Sequence, residues 1–347
     1  MNGSANPGKV RVVVIEDSLV QRKHLVAVLE ADGDISVVGQ AATAVEGVAL
    51  VAGTGPDVVT LDLQLPDRSG TYVIEQVMSQ TPTPILVLSA IVGGPESAPT
   101  IEALVSGALE ALPKPAQWTP SREAEIRRSV RNLSKVTIIR RMRRRSPPST
   151  ERADRPSSVT SPVVALAAST GGPAALAEVL AGLRGLAAPV LVVQHIHPDF
   201  VAGLVTWMAR VSALPVHIAR HGEATVAGHV YIGPGEVHLR LDRHGRVALD
   251  PAPPALHRPS ADELFGSVAE HAGATGVGVV MTGMGTDGAR GLLALRGRGG
   301  RTFAQDEASC AVFGMPHAAY ELGAVRDVVT LGDMAARIVL AVRAMRT

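Results

Sequence analysis

Short runs of consecutive Val, Ile and Leu alternate along the chain with longer stretches whose apolar residues recur every three or four positions. The runs 10–15, 35–39, 58–61, 85–88 and 108–112 predict five strands buried on both faces. Between the first two, Leu25, Val28 and Leu29 give helical spacing within 18–31. Alternating β and α units predict a five-stranded, doubly wound parallel sheet, whose functional residues gather at the carboxyl ends of the strands. The alternation returns at 163–168, 190–194 and 276–282, predicting a second, Rossmann-like doubly wound α/β domain. Three shorter runs at 229–232, 237–241 and 246–249, joined by glycine-containing turns, predict an antiparallel insert on that domain.

The periodicity fails between the two patterns. A charged helical stretch at 121–135 leads into Arg-Arg-Met-Arg-Arg-Arg at 140–145, and then into a segment of Pro, Ser and charge. That composition is a linker's. The predicted organisation is a first domain at 9–134, a basic and Pro/Ser-rich linker at 135–160, and a second domain at 161–345.

A length of 347 residues suits two domains. Aromatic residues make up only 3%, so the cores must be aliphatic, and stacking platforms for single-stranded nucleic acid are not expected. With 33 Lys and Arg against 32 Asp and Glu, no global field draws the chain to DNA or to an anionic membrane. Cys310 is the single cysteine, which excludes an internal disulfide, a four-cysteine zinc site and a CxxC redox pair. No apolar run approaches the roughly 20 residues of a membrane helix. The expectation is a cytoplasmic protein with no membrane insertion.

Candidate chemistry lies at the strand ends. In the first domain Glu16 and Asp17 close the first strand, Asp62 the third and Ser89 the fourth, and Lys114 follows the fifth. Three converging carboxylates repel one another and call for a cation, and an oxygen-only ligand set suits Mg²⁺. A lysine and a hydroxyl opposite them would grip a phosphoryl group, leaving one aspartate as its acceptor. This set resembles the response-regulator receiver domain. The resemblance implies Asp62 as phosphoacceptor, Glu16, Asp17 and Asp62 as the Mg²⁺ carboxylates, Ser89 as switch hydroxyl and Lys114 as phosphoryl contact. It also implies a histidine kinase as phosphodonor. Ala111 departs from the pattern, because receivers usually carry an aromatic residue there.

In the second domain, Ser169 ends a strand before Thr-Gly-Gly-Pro173, His195 ends the next, and Asp287 stands in a glycine loop before a helix at about 288–295. A serine at such a turn is exposed, and helix N–H groups can stabilise an oxyanion there. His195 would deprotonate Ser169, and Asp287 would orient His195 and stabilise its charged form. A hydrolytic site of this kind needs no cofactor. Three rival readings use the same residues or their neighbours. His195 and His197 share a strand face without an obvious third metal ligand, and Cys310 with His317 lacks a glycine turn. Gly283-Met-Gly285-Thr-Asp-Gly288 fits a dinucleotide fingerprint, with Asp306 near the place of a ribose-binding acid. Asp287 opposes that reading, since its charge would stand where a pyrophosphate should lie.

The motifs Ser169-Thr-Gly-Gly, Gln194-His195, His257-Arg-Pro-Ser-Ala-Asp262, Gly283-Met-Gly-Thr-Asp-Gly288 and Ala304-Gln-Asp-Glu307 resemble the catalytic domain of chemotaxis protein-glutamate methylesterases. The resemblance implies a phosphorylation-activated hydrolase acting on glutamyl methyl esters, and on certain glutamines, of chemoreceptor cytoplasmic helices. It implies Ser169 as nucleophile, His195 as base and Asp287 as orienting acid, with Thr170 helping to hold the histidine and the Met284 N–H in the oxyanion hole. A rival function is that of a response regulator with a DNA-binding output. It draws on the stretch 122–145, with ten basic and two acidic residues. An output of some 185 residues without a helix-turn-helix pattern argues against it.

Overall fold

Apolar runs buried on both faces need helices above and below them, which a parallel sheet supplies. The computed structural model describes residues 8–90, 97–136, 161–255 and 257–346, in two compact units, the first formed by most of the chain up to Val136 and the second by the chain from Ser161 on. The predicted linker beyond Val136, including the basic run at 140–145, lies outside the described residues.

The first unit runs β1 (Val10–Ile15), α1 (Leu19–Glu30), β2 (Ile35–Ala41), α2 (Ala44–Thr54), β3 (Val58–Asp62), α3 (Gly70–Gln80), β4 (Ile85–Ser89), α4 (Ala98–Ser106), β5 (Glu110–Pro113) and α5 (Pro120–Leu133). Its five strands pair in parallel in the order β2-β1-β3-β4-β5. The last strand starts two residues later than the apolar run suggests. Ala108 donates its N–H to the Ala103 carbonyl, so the start of that run closes the end of α4 instead. Ser18, Thr43, Ser69 and Thr119 begin α1, α2, α3 and α5 by accepting an N–H of the first turn.

The second unit runs β6 (Val163–Ala168), α6 (Gly172–Gly182), β7 (Val190–Gln194), α7 (Val201–Val211), β8 (Val216–Ile218), β9 (Val230–Ile232), β10 (His238–Leu241), β11 (Val247–Asp250), α8 (Ala261–His271), β12 (Gly276–Val280), α9 (Ala289–Gly297), β13 (Arg301–Gln305), α10 (Met315–Glu321), β14 (Asp327–Val329) and α11 (Leu331–Ala344). Seven strands form one parallel sheet in the order β14-β13-β12-β6-β7-β9-β8. The antiparallel insert is the hairpin β10–β11. The run at 229–232, expected in that insert, pairs in parallel with β7 and β8 as β9. All three residues of β9 are buried, which a hairpin with one solvated face would not allow. Aliphatic side chains fill the cores, and Phe200, Tyr231 and Phe265 are the largest fully buried residues.

Each sheet has a switch point where successive connections leave in opposite directions. It lies between β1 and β3 in the first unit and between β6 and β12 in the second. In doubly wound folds the carboxyl ends of the strands at such a point are where ligands bind.

Candidate functional site

In the first unit the switch point gathers the acidic cluster. Ligand oxygens of Glu16, Asp17 and Asp62 all lie within 4.8 Å of one another. Glu16 and Asp62 are buried and Asp17 is exposed. Lys114 Nζ bridges Glu16 Oε2 at 2.8 Å and Asp62 Oδ2 at 2.6 Å. Burial pulls the lysine down, but its bonds to Asp62 and Glu16 outweigh that and hold it above the usual range. Burial pushes Glu16 up, against the opposing pull of Lys114. The Ser89 hydroxyl takes a 2.9 Å bond from Thr100 Oγ1 on α4, both groups being buried. Ala111 is buried in β5. Glu16, Asp17, Asp62 and Lys114 therefore converge; Ser89 neighbours them through its carbonyl, which accepts the Lys114 N–H at 2.7 Å, and its hydroxyl partner Thr100 is one the sequence did not single out.

In the second unit, strand register brings the predicted triad together. Ala168 pairs with Gln194, and Ala167 pairs with Val193 on one side and Val280 on the other. Ser169 and His195 therefore leave adjacent strands side by side. The bonds His195 N–H to Ala168 O (2.9 Å) and Ser169 N–H to Thr282 O (3.0 Å) fix both. Gln194 adds a clamp, since its Nε2 donates to the carbonyls of Ser169 and His195, each at 2.8 Å. Gly283 carries the β12 loop against the serine. A Cβ there would stand 2.7 Å from Ser169 Cβ, so the Gly283 backbone packs directly against Ser169. Thr282 Oγ1 donates to the Thr170 carbonyl at 2.9 Å. Among the described residues no hydrogen bond joins the Thr170 side chain to His195, so the expected hold on the histidine comes from elsewhere.

That hold is Asp287, whose Oδ2 lies 2.9 Å from His195 Nε2. Its carboxylate does not cap α9, the helix that follows it in sequence. It sits on the N-terminus of α8, where Oδ1 accepts from Ser260 Oγ (2.8 Å) and the Asp262 N–H (3.1 Å). Oδ2 also accepts the Ala261 N–H at 2.7 Å. Sequence reasoning missed this cradle because Ser260 lies 27 residues away. The signal was a serine before the α8 pattern, a helix start in its own right. His257, from the same segment, stacks on His195 with ring centroids 4.3 Å apart and planes 14° apart. With Nε2 engaged, the buried His195 Nδ1 has no partner among the described residues and is the ring nitrogen left to accept a hydrogen bond.

Burial alone would raise Asp287. The His195 bond and charge, the Ala261 N–H and the Ser260 hydroxyl outweigh it and hold the carboxyl well below the usual carboxylate range. A depressed folded value stabilises the fold above the unfolded value, and that stability is lost as pH falls through the folded value. Asp287→Asn should therefore melt at a lower temperature than the parent at neutral pH. The gap should persist down to the ordinary aspartate value of 3.8 and narrow only below it. A gap that closes between pH 7 and about 5 in thermal melts would contradict the cradle.

The rival constellations separate. His197 Nδ1 lies 3.5 Å from Asp199 Oδ2 at the start of the next turn. Cys310 is buried, and desolvation with the nearby Asp306 charge pushes its thiol far above the range of a reactive cysteine. His317 faces solvent beside Glu321. Asp306 bonds Ser309 within its own turn.

Together these units define a response regulator whose output is an α/β domain with the side-chain arrangement of a serine hydrolase. The sequence model for the CheB methylesterase family matches residues 164–338, and that for the response regulator receiver domain matches 12–123. The chain belongs to the CheB methylesterase family. It is 41% identical over 344 residues to protein-glutamate methylesterase/protein-glutamine glutaminase 3 of Anaeromyxobacter dehalogenans, covering 96% of this chain and 99% of that one. It is 39% identical over 351 residues to protein-glutamate methylesterase/protein-glutamine glutaminase 4 of Myxococcus xanthus, covering 96% and 97%. The crystal structure of the Thermotoga maritima CheB methylesterase catalytic domain is similar with a TM-score of 0.51 and 33% identity, over 52% of this chain and 99% of that one.

Proposed function

We propose that this protein hydrolyses methyl esters of glutamate side chains, and deamidates glutamine side chains, on the cytoplasmic helices of chemoreceptors, and that phosphorylation at Asp62 raises its rate. The observation that carries the hydrolytic reading is the buried His195–Asp287 pair, bonded through Nε2 and standing beside Ser169. Ser169 Oγ adds to the ester carbonyl carbon as its proton passes to His195 Nδ1. Asp287 stabilises the imidazolium so formed. The carbonyl electron pair moves onto oxygen, where the Met284 N–H meets it. Re-forming the carbonyl breaks the bond to the methoxy group, which leaves as methanol with the proton from His195. Water then adds to the acyl-serine, His195 takes and returns a proton, and glutamate is released from Ser169. A glutamine side chain follows the same course with ammonia as the leaving group.

The acidic cluster fits Mg²⁺, since three hard oxygen donors share one small volume. Glu16, Asp17 and Asp62 would hold it, and the ion supplies positive charge against phosphoryl oxygens. Asp62 is the acceptor for a histidine kinase's phosphoryl group. Lys114, already bonded to Asp62, and Ser89 would contact that group.

Methanol release from methylated receptor by the full chain tests both halves. A small acyl phosphate with Mg²⁺ should raise the rate in the parent, while Asp62→Asn stays at the basal rate. EDTA should return the treated parent to the basal rate without lowering that rate further. Full stimulation of Asp62→Asn would refute the acceptor. Loss of basal hydrolysis with EDTA would turn the site into a metal hydrolase.

A further inference from the structure

The β10–β11 hairpin has no part in the chemistry above, yet it carries a fully buried histidine, His238. The ring lies between two backbone groups. Ser260 donates its N–H to Nδ1 at 3.1 Å, and Nε2 stands 2.8 Å from the Pro253 carbonyl. A backbone N–H can only donate, so Nδ1 is the acceptor and Nε2 carries the hydrogen. Ser260 is also the residue whose hydroxyl reaches Asp287 Oδ1 and whose neighbours supply the other two donors to that carboxylate. A continuous chain of bonds therefore runs from His238 through Ser260 and Asp287 to His195.

The hairpin grips α8 at two further points. Arg240 Nη2 lies 2.7 Å from Glu263 Oε2, and the Leu241 N–H donates to Ser267 Oγ at 3.0 Å. These two bonds fix the body of the helix. The His238 bond fixes the residue that caps it, Ser260, where a shift moves all three donors to Asp287 together. We infer that His238 is a positioning residue for the hydrolysis, holding the α8 N-terminus through its Nδ1 so that Asp287 presents its carboxylate to His195. The insert is thus a mount for the orienting acid. This rests on the assignment of Asp287 and His195 to the reaction.

The two ring nitrogens have different duties, and amide side chains separate them. The Asn oxygen can stand in for Nδ1, and the Gln amide for Nε2. His238→Gln keeps the bond to Pro253 and loses the acceptor for Ser260. Its kcat should fall by roughly 10- to 100-fold, the scale of a catalytic group displaced by about 1 Å, with KM within about two-fold. His238→Asn keeps the acceptor, so kcat should recover to within about three-fold of the parent, although its melting temperature falls. A merely structural role predicts that both variants lose activity in step with stability. Equal kcat losses, or no loss in His238→Gln, would overturn the inference.

Histidine ¹⁵N spectra of the unmodified full chain give a check that needs no variant. Nδ1 of His238 should be unprotonated and Nε2 protonated, and the opposite tautomer would also overturn the inference. Ser169→Ala in the same assay separates the failures. If that variant is inactive while His238→Gln is unimpaired, only the positioning role fails. If Ser169→Ala stays active, the hydrolytic reading itself fails.

Discussion

Ser169→Ala should leave no measurable methanol release from methylated receptor, a loss on the order of 10⁴-fold or more. The change deletes one oxygen at a half-buried turn. None of the hydrogen bonds that fix that turn uses it, since they come from the Ser169 N–H and carbonyl. The variant should therefore melt within about a degree of the parent. The Thr282 hydroxyl, which lies over the same turn, offers no substitute. Thr282 Oγ1 is occupied by the Ala311 and Val312 N–H groups as well as the Thr170 carbonyl. With no acyl-enzyme possible, the remaining path is direct attack by water, helped only by His195 and the Met284 N–H. Residual activity above roughly a tenth of the parent rate would mean that another group is the nucleophile. Labelling by a serine-directed fluorophosphonate gives a second measure, because it should modify the parent at Ser169 and spare the variant.

Much of this site is legible in the sequence because strand ends in a doubly wound sheet are legible. The run 163–168 stops at Ser169 and the run 190–194 at His195, and parallel pairing of adjacent strands does the rest. The acidic cluster reads in the same way, since Glu16, Asp62 and Ser89 each sit where an apolar run ends. What stays hidden is contact between distant segments. Asp287 precedes α9 in sequence, and a carboxylate before a helix suggests a local cap. Its use by α8 depends on how two helices pack, which no periodicity encodes. The insert is hidden for a related reason. Val230–Ile232 is too short for its pattern to tell a parallel central strand from a hairpin arm, and burial on both faces decides it. Thr100 is a third case, because its bond to Ser89 joins the first turn of α4 to a strand end 11 residues away.

Asp287→Asn should lower kcat by on the order of 10³-fold, through lost charge rather than a misplaced proton. An asparagine must put its NH₂ at one of the two former oxygens. At the Oδ2 position it would face the Ala261 N–H at 2.7 Å and the His195 Nε2–H at 2.9 Å. One such opposition is a buried donor meeting a donor, and relieving the other would force the His195 proton onto Nδ1. At the Oδ1 position it would face the Asp262 N–H at the longer distance of 3.1 Å, and Ser260 Oγ, a hydroxyl that can rotate to accept. The second orientation costs less, so the amide oxygen keeps its place beside His195 and Nδ1 stays free to take the serine proton. The ring remains oriented while the negative charge opposite the imidazolium is gone. The loss should therefore fall short of the roughly 10⁴-fold seen when the wrong tautomer is imposed. Asp287→Ala removes the orienting oxygen as well and should be slower than Asp287→Asn. Histidine ¹⁵N spectra of Asp287→Asn should still show His195 protonated at Nε2. A proton found on Nδ1, or an Asp287→Ala variant as fast as Asp287→Asn, would show that the amide had turned the other way.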